Sequence, residues 1–271
     1  MPQSSKIAVF SVDGKKVREI ELPKAFFAEL EPEIIRRAVL AIQSARKQPK
    51  GTKEGAGMKV AEYRGRRNLP FYDRTINIEH ARLPRLKNRR TLIAGRVGNV
   101  PQAVGGRRAH PPKVEKKIEE KINKKEKKKA LISAIAYTKE KEAVAKRHKV
   151  PEAIELPIVV EDKFEALKKT KEVLSVLEKL GLSSDIVYAK EKTKRRAGKG
   201  KARGRKLKKK KSVLIITAKE ASVYRAARNL TGVDICSVSD LNAELLAPGG
   251  MPGRLTIWTE SAIKKLDEVV R

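Results

Sequence analysis

The chain has 271 residues, and 64 Lys and Arg stand against 32 Asp and Glu, a formal net charge of +32. Its single cysteine excludes a disulfide framework and a CxxC zinc or redox site, and apolar runs such as residues 213–216 are far too short to span a membrane. The first twelve residues lack the charged start and apolar centre of a signal peptide, so a soluble intracellular protein is expected.

In chain order, alternating Ile7, Val9 and Ile20, Leu22 on either side of Asp13-Gly14 predict a β-hairpin, with the Asp-Gly pair supplying the positive φ angles of a tight turn. Ile34, Ile35, Ala38, Val39 and Ile42 then recur at helical spacing until Pro49 and Gly51 end the pattern. Residues 46–113 follow, with 18 Lys and Arg against Glu54, Glu62, Asp73 and Glu79, a net +14. Eight glycines and six prolines break every sustained apolar period there. So long a loop inside a compact domain is functional or disordered. From Val114 a second helix is predicted through Ile118, Ile122, Leu131 and Ile135. If the two helices pack side by side, the intervening segment leaves the globule and returns near the same place.

The remainder alternates predicted strands and helices: strands at 158–160, 186–188, 213–217, 233–238 and 255–258, with helices near 164–180, 222–230 and 240–246 and a final one ending at Val270. This pattern reads as βαβ units. The fold class is therefore α/β, a mainly parallel sheet with flanking helices, in one globular domain formed by residues 1–45 and 114–271. That domain carries the extended internal loop 46–113 and a second basic loop, 190–211, in which 14 Lys and Arg face Glu191 alone. Outside the two loops the charge is close to balanced. Charge at the loops' density repels itself and needs a polyanion to become compact, and nucleic acid is the commonest partner of that kind.

A membrane-surface helix would show an apolar stripe, and the 190–211 loop offers only Leu207 as a large apolar residue. The competing reading is a solvated, disordered charge run. No G-x-x-x-x-G-K-[ST] loop occurs, and Gly198, Gly200 and Gly204 miss the dinucleotide spacing and precede a strand. His80, His110 and His148 stand in no metal-ligand spacing and beside no nucleophile motif. Asp162, after a predicted strand, reads as a helix N-cap before it reads as a catalytic carboxylate. Cys236, in an apolar run, reads as a buried structural thiol. Neither cofactor nor metal is expected.

No helix-turn-helix, zinc finger or basic zipper is visible, and long glycine- and proline-punctuated arms suit the crevices of folded RNA better than duplex DNA. The RNA-binding candidates are Arg64, Arg66, Arg67, Arg82, Arg85, Arg89, Arg90, Arg107, Arg108 and His110 in the first loop. In the second they are Lys192, Lys194, Arg195, Arg196, Lys199, Lys201, Arg203, Arg205 and Lys206. Tyr63, Phe71 and Tyr72 could stack on exposed bases.

The stretch Val100-Pro-Gln-Ala-Val-Gly-Gly-Arg-Arg-Ala-His-Pro-Pro-Lys113 closely resembles the signature of the large-subunit ribosomal protein four family in its archaeal and eukaryotic form. Ala61-Glu62, Arg82-Leu-Pro-Arg85 and the glycine-spaced segment 195–205 are similar to that family too. The resemblance implies an α/β globule on the large-subunit surface, a long loop threading ribosomal RNA, and a loop tip lining the nascent-peptide exit tunnel. It implies as partners large-subunit ribosomal RNA, neighbouring large-subunit proteins and the nascent peptide, with no membrane and no homo-oligomer, in the cytoplasmic ribosome. One departure is the segment after Gly65-Arg-Arg67, where Asn68 to His80 includes Phe71, Tyr72 and Asp73, so the tip is expected within 64–80. No long basic tail follows the last predicted helix, as in archaeal members. Two other classes compete: an RNA-modifying or ribosome-assembly enzyme using the α/β domain for a cofactor, and a DNA-compacting protein. The first lacks a glycine-rich first turn and the second any DNA-reading motif.

Overall fold

A computed structural model describes residues 6–57, 63–64, 81, 83–86, 92, 95–151 and 154–270, with the side chains of 63, 64, 269 and 270 excepted. The chain divides into two compact units, Met1–Arg46 with Glu120–Arg271, and Lys47–Glu119.

In the first unit, β1 (Lys6–Phe10) and β2 (Lys16–Glu21) form the predicted antiparallel hairpin. Its turn is wider than the two-residue form expected: Gly14 takes φ +79° while Asp13 keeps an ordinary φ. The Ser11 N–H donates to the Lys15 carbonyl at 2.8 Å, and the Gly14 N–H donates to the Ser11 carbonyl at 2.9 Å. A short 3-10 turn, Lys24–Phe27, leads to α1 (Pro32–Ala45), where proline in the first turn costs no intrahelical bond. Ile35, Ala38 and Val39 form its buried stripe.

The second predicted helix, α2 (Lys124–Ala136), begins later than Val114. Val114 is exposed, the Glu120 N–H donates to Ser44 Oγ at 2.8 Å, and Asn123 is extended, so the approach to α2 has backbone bonds and angles of its own. The side-by-side packing of the two helices holds. The Glu31 N–H donates to Ser133 Oγ at 2.8 Å, Arg37 meets Glu126 at 3.3 Å, and Lys129 pairs with Glu31.

Beyond α3 (Lys141–Ala145) come β5 (Ile158–Val160), a 3-10 turn (Asp162–Ala166), α4 (Thr170–Lys179) and α5 (Ser183–Glu191). The helix predicted over 164–180 is thus two pieces, because Leu167 is extended at ψ 133°. The strand predicted at 186–188 is instead part of α5. Leu182, Ile186 and Ala189 are all buried at helical spacing, which a three-residue apolar run conceals. The order continues with β6 (Lys194–Arg195), β7 (Leu207–Lys208), β8 (Leu214–Thr217), α6 (Val223–Ala227), β9 (Asp234–Ser237), α7 (Ala243–Leu246), β10 (Thr256–Thr259) and α8 (Glu260–Val270).

Six strands make one sheet in the order β2-β1-β5-β10-β8-β9, antiparallel at β1/β2 and parallel elsewhere. Alternation sends successive side chains to opposite cores. Val159, Leu214, Ile216, Cys236 and Trp258 pack in the core that includes α1, α2, α7 and α8 residues, and Ile158, Val160, Ile215 and Ile257 pack in the core with α4, α5 and α6 residues. Trp258 is fully buried, and its ring meets Phe26 edge-on at 5.4 Å.

In the second unit, β3 (Tyr63–Arg64) pairs antiparallel with β4 (Arg85–Leu86), so the long basic segment has local structure of its own. Among the described residues no helix is long and apolar enough to cross a membrane, and no group of three or more His, Cys, Asp or Glu is set to hold a metal.

Candidate nucleic-acid interface

The second basic loop, 190–211, contains a small antiparallel hairpin. β6 and β7 align Lys194 with Lys208 and Arg195 with Leu207, and a 3-10 turn, Lys199–Lys201, lies in the connection. Like charges facing across strands oppose pairing, so something must hold it. Arg196 does so: its N–H donates to the Lys206 carbonyl at 2.7 Å, its Nε to the Arg205 carbonyl at 3.1 Å and its Nη2 to the Leu207 carbonyl at 3.4 Å. One guanidinium turned inward leaves Lys194, Arg195, Lys199, Lys201, Arg203, Arg205 and Lys206 exposed on an ordered backbone.

In the second unit the residues 100–108 turn tightly, with the Ala103 N–H on the Val100 carbonyl at 3.2 Å and the Gly106 N–H on the Ala103 carbonyl at 3.0 Å. A Cβ at Gly106 would stand 2.0 Å from the Val100 oxygen, and one at Gly57, whose φ is +81°, 2.6 Å from Arg107 backbone. Only glycine permits either approach. The packed segments line an open groove of about 750 Å³ that includes Thr52, Lys53, Arg107, Arg108 and Lys113. Arg107, Arg108 and His110 are exposed. Arg85 instead ties its own loop together, its Nη1 donating to the Gly95 carbonyl at 3.0 Å and its Nη2 to the Ala81 carbonyl at 2.9 Å.

The remaining polar constellations hold the fold together. Ser212, Asp185 and His148 are buried together, yet Ser212 Oγ donates to Asp185, and His148 Nδ1 lies 3.0 Å from the same carboxylate oxygen. The hydroxyl faces the carboxylate and not the imidazole, so this is not the arrangement of a Ser-His-Asp nucleophilic triad. Burial holds the His148 pKa below its ordinary value, against the pull of Asp185. Burial alone would raise Asp185, but His148, Ser212 and the Lys149 N–H together hold it low. Cys236 is buried as expected, its thiol pushed up to about 12 by that burial and thus inert. Asp162 does cap a helix, but α8: its carboxylate accepts from the Ser261 N–H at 2.9 Å. Fully buried Arg254 donates to the Ser212 and Leu245 carbonyls at 2.9 Å each and to Asp234 at 2.6 Å. A composition count treats that arginine as surface charge.

The family described as Ribosomal protein L4/L1 family matches residues 20–269. The chain belongs to this family. It is 47% identical over 265 residues to the large ribosomal subunit protein uL4 of Methanocaldococcus jannaschii, covering 97% of this chain and 98% of that relative. It is 49% identical over 263 residues to the protein of that name from Archaeoglobus fulgidus, with 97% and 98% covered, and 49% over 264 residues to that of Methanoculleus marisnigri, with 97% and 99%. The L4 family assignment agrees with the resemblance carried by Val100 to Lys113 and with the mainly parallel α/β sheet.

Of the residues expected to bind RNA in this L4-family chain, Arg66, Arg67, Arg82, Arg89 and Arg90 lie outside the described residues, as do Phe71 and Tyr72, and Arg64 is described by its backbone in β3. Lys192 lies just past the end of α5, at the root of the hairpin. Sequence spacing does not single out Tyr188, whose ring centroid has the Nζ of Lys210, Lys149 and Lys192 at 3.7, 4.5 and 5.5 Å. The buried spacing of Leu182, Ile186 and Ala189 is the signal that would have put Tyr188 on a helix beside them.

Proposed function

We propose that this protein is a structural, RNA-binding constituent of the large ribosomal subunit, working in the cytoplasmic ribosome and performing no catalysis of its own. Membership of the ribosomal L4 family along nearly the whole chain carries the reading. The two cationic segments support it: among the described residues, each sets exposed basic side chains on hydrogen-bonded backbone, in a chain whose other residues are close to charge balance. Its partners are large-subunit ribosomal RNA and neighbouring large-subunit proteins, and it acts as a single copy. Arg64, Arg66, Arg67, Arg82, Arg89, Arg90, Arg107, Arg108 and the basic residues of 192–206 other than Arg196 supply distributed phosphate neutralisation rather than one dominant contact, with His110 stacking or hydrogen-bonding beside them. Arg85 and Arg196 act differently, by holding the backbones that present those charges.

The segment 64–80 is the part of the long loop that reaches the nascent-peptide exit tunnel in this proposal. Sedimentation of native lysate through a high-salt density gradient, with the chain followed by mass spectrometry, tests the whole reading. Stoichiometric migration with the large subunit is expected. Migration as free protein, or with substoichiometric particles alone, would overturn it.

A further inference from the structure

Three ammonium groups from three parts of the chain converge on one aromatic ring at the root of the basic hairpin. Lys149 follows α3, Lys192 ends α5, Lys210 precedes β8, and all three approach Tyr188 within 5.5 Å of its centroid. A ring quadrupole attracts a cation, but it does not remove the repulsion among three. Among the described residues the carboxylate paired with this group is Asp185, whose Oδ1 is 3.8 Å from Lys210 Nζ. That carboxylate already accepts from Ser212, His148 and the Lys149 N–H.

Lys210 Nζ is shielded from solvent and has no hydrogen-bond partner among the described residues. Its side chain is one-fifth exposed, whereas Lys149 and Lys192 are open to solvent. Burial lowers the Lys210 pKa, Asp185 opposes that, and Arg147, Lys149 and Lys192 lower it further. The Lys149 backbone is fixed in place: its N–H donates to Asp185 Oδ1 at 3.2 Å and its carbonyl accepts from Ser184 Oγ at 3.1 Å. The arrangement gathers positive charge around a half-buried ring, with one ammonium shielded from solvent and two on exposed side chains. An anion seated between the two exposed lysines would relieve the repulsion.

We infer that Lys149, Lys192, Lys210 and Tyr188 form one anchoring site for a single backbone phosphate of RNA. Lys149 and Lys192 donate to its oxygens, and Lys210, resting on the Tyr188 ring, supplies charge from beneath. RNA is the source of the phosphate because the site stands where the hairpin begins, so a strand held there continues along Lys194, Arg195 and Lys199. The inference rests on the RNA-binding reading above and adds to it a defined contact on the α/β body.

The test is a salt titration of the affinity of the full-length protein for deproteinised large-subunit ribosomal RNA from the source organism. Each neutralised phosphate contributes about 0.7 to 0.9 to the log-log slope. The K149Q/K192Q double variant, altered at two exposed positions, should lose about one such increment, and K149R/K192R should regain it. An unchanged slope in the double variant, with a steep slope in the parent, would overturn the site and leave the RNA-binding reading standing. Loss of about two increments would mean two separate phosphates and would also overturn it. A parent protein whose binding hardly responds to salt would overturn both. Calorimetry with inorganic phosphate alone distinguishes the source: saturable binding abolished by K149Q/K192Q would make this a small-anion site and sink the RNA assignment.

Discussion

Ser44 Oγ accepts the Glu120 N–H at 2.8 Å and donates its own proton to the Ala41 carbonyl at 2.8 Å, joining the residues on either side of the 47–119 segment. Ser44 is buried, so alanine there leaves a backbone donor without its partner. S44A should cost about 1–3 kcal/mol, and thermal unfolding should shift by about 2–4 °C per kcal/mol. An unchanged midpoint would mean that water replaces the hydroxyl without cost.

The same junction makes excision feasible. Replacing residues 47–119 with a short Gly/Ser linker should leave a chain that unfolds cooperatively and keeps its far-UV circular dichroism, because both cores are built from residues outside the segment. Its affinity for large-subunit ribosomal RNA and its salt slope should both fall. Loss of cooperative folding, or full retention of affinity and slope, would contradict this division of labour.

How much of this was visible in the sequence follows from what each feature depends on. The apolar run at 214–216 and the pair Ile257-Trp258 announce strands because both faces of the sheet are covered, and their residues go to both cores. The helices flanking the long segment were legible from spacing, but the start of α2 was not, since the residues before it are tied elsewhere, Glu120 N–H to the distant Ser44, and Asn123 is extended. The hairpin at 194–208 is held by one arginine bonding to carbonyls, an interaction without periodicity. Charge density hid it. Arg254 was hidden for the converse reason: the groups that make its burial tolerable, Asp234 and carbonyls from Ser212 and Leu245, come from other parts of the chain.

That arginine yields a direct stability prediction. R254A leaves the Asp234 carboxylate with Lys211 at 2.8 Å and strands two carbonyls. Breaking a buried pair by removing one partner costs about 3–5 kcal/mol. Trp258, the chain's single tryptophan and fully buried, reports unfolding by its emission, so the denaturation midpoint should fall substantially with the native spectrum retained at low denaturant. A loss under 1 kcal/mol would show that Lys211 and solvent compensate.

Acid should weaken the fold in two steps of the same sign. Burial keeps the folded-state pKa of His148 below its ordinary 6.5, so as pH falls through that value the unfolded chain takes up a proton that the native one refuses. Stability is full above about pH 6.5 and is lost below it. Asp185, held below 3.8 by His148, Ser212 and the Lys149 N–H, adds a second loss on further acidification. Denaturation midpoints at pH 7.5, 6 and 5 should decline in the parent and in H110N, where the altered histidine is exposed, and should flatten over that window in H148N. A flat parent profile would mean that His148 takes up its proton as readily in the native state as in the unfolded one.

Arg196 separates charge from architecture. Lysine at that position keeps the unit charge but loses the guanidinium fork that reaches the Arg205 and Leu207 carbonyls. Counterion release depends on how many phosphates are neutralised, whereas the ordering cost of the hairpin affects affinity at every salt concentration alike. R196K should therefore weaken binding to large-subunit ribosomal RNA several-fold with an unchanged salt slope, while K199Q/K201Q should reduce the slope itself. If R196K lowered the slope as well, Arg196 would be contacting phosphate in the complex, and the fork would have to open on binding.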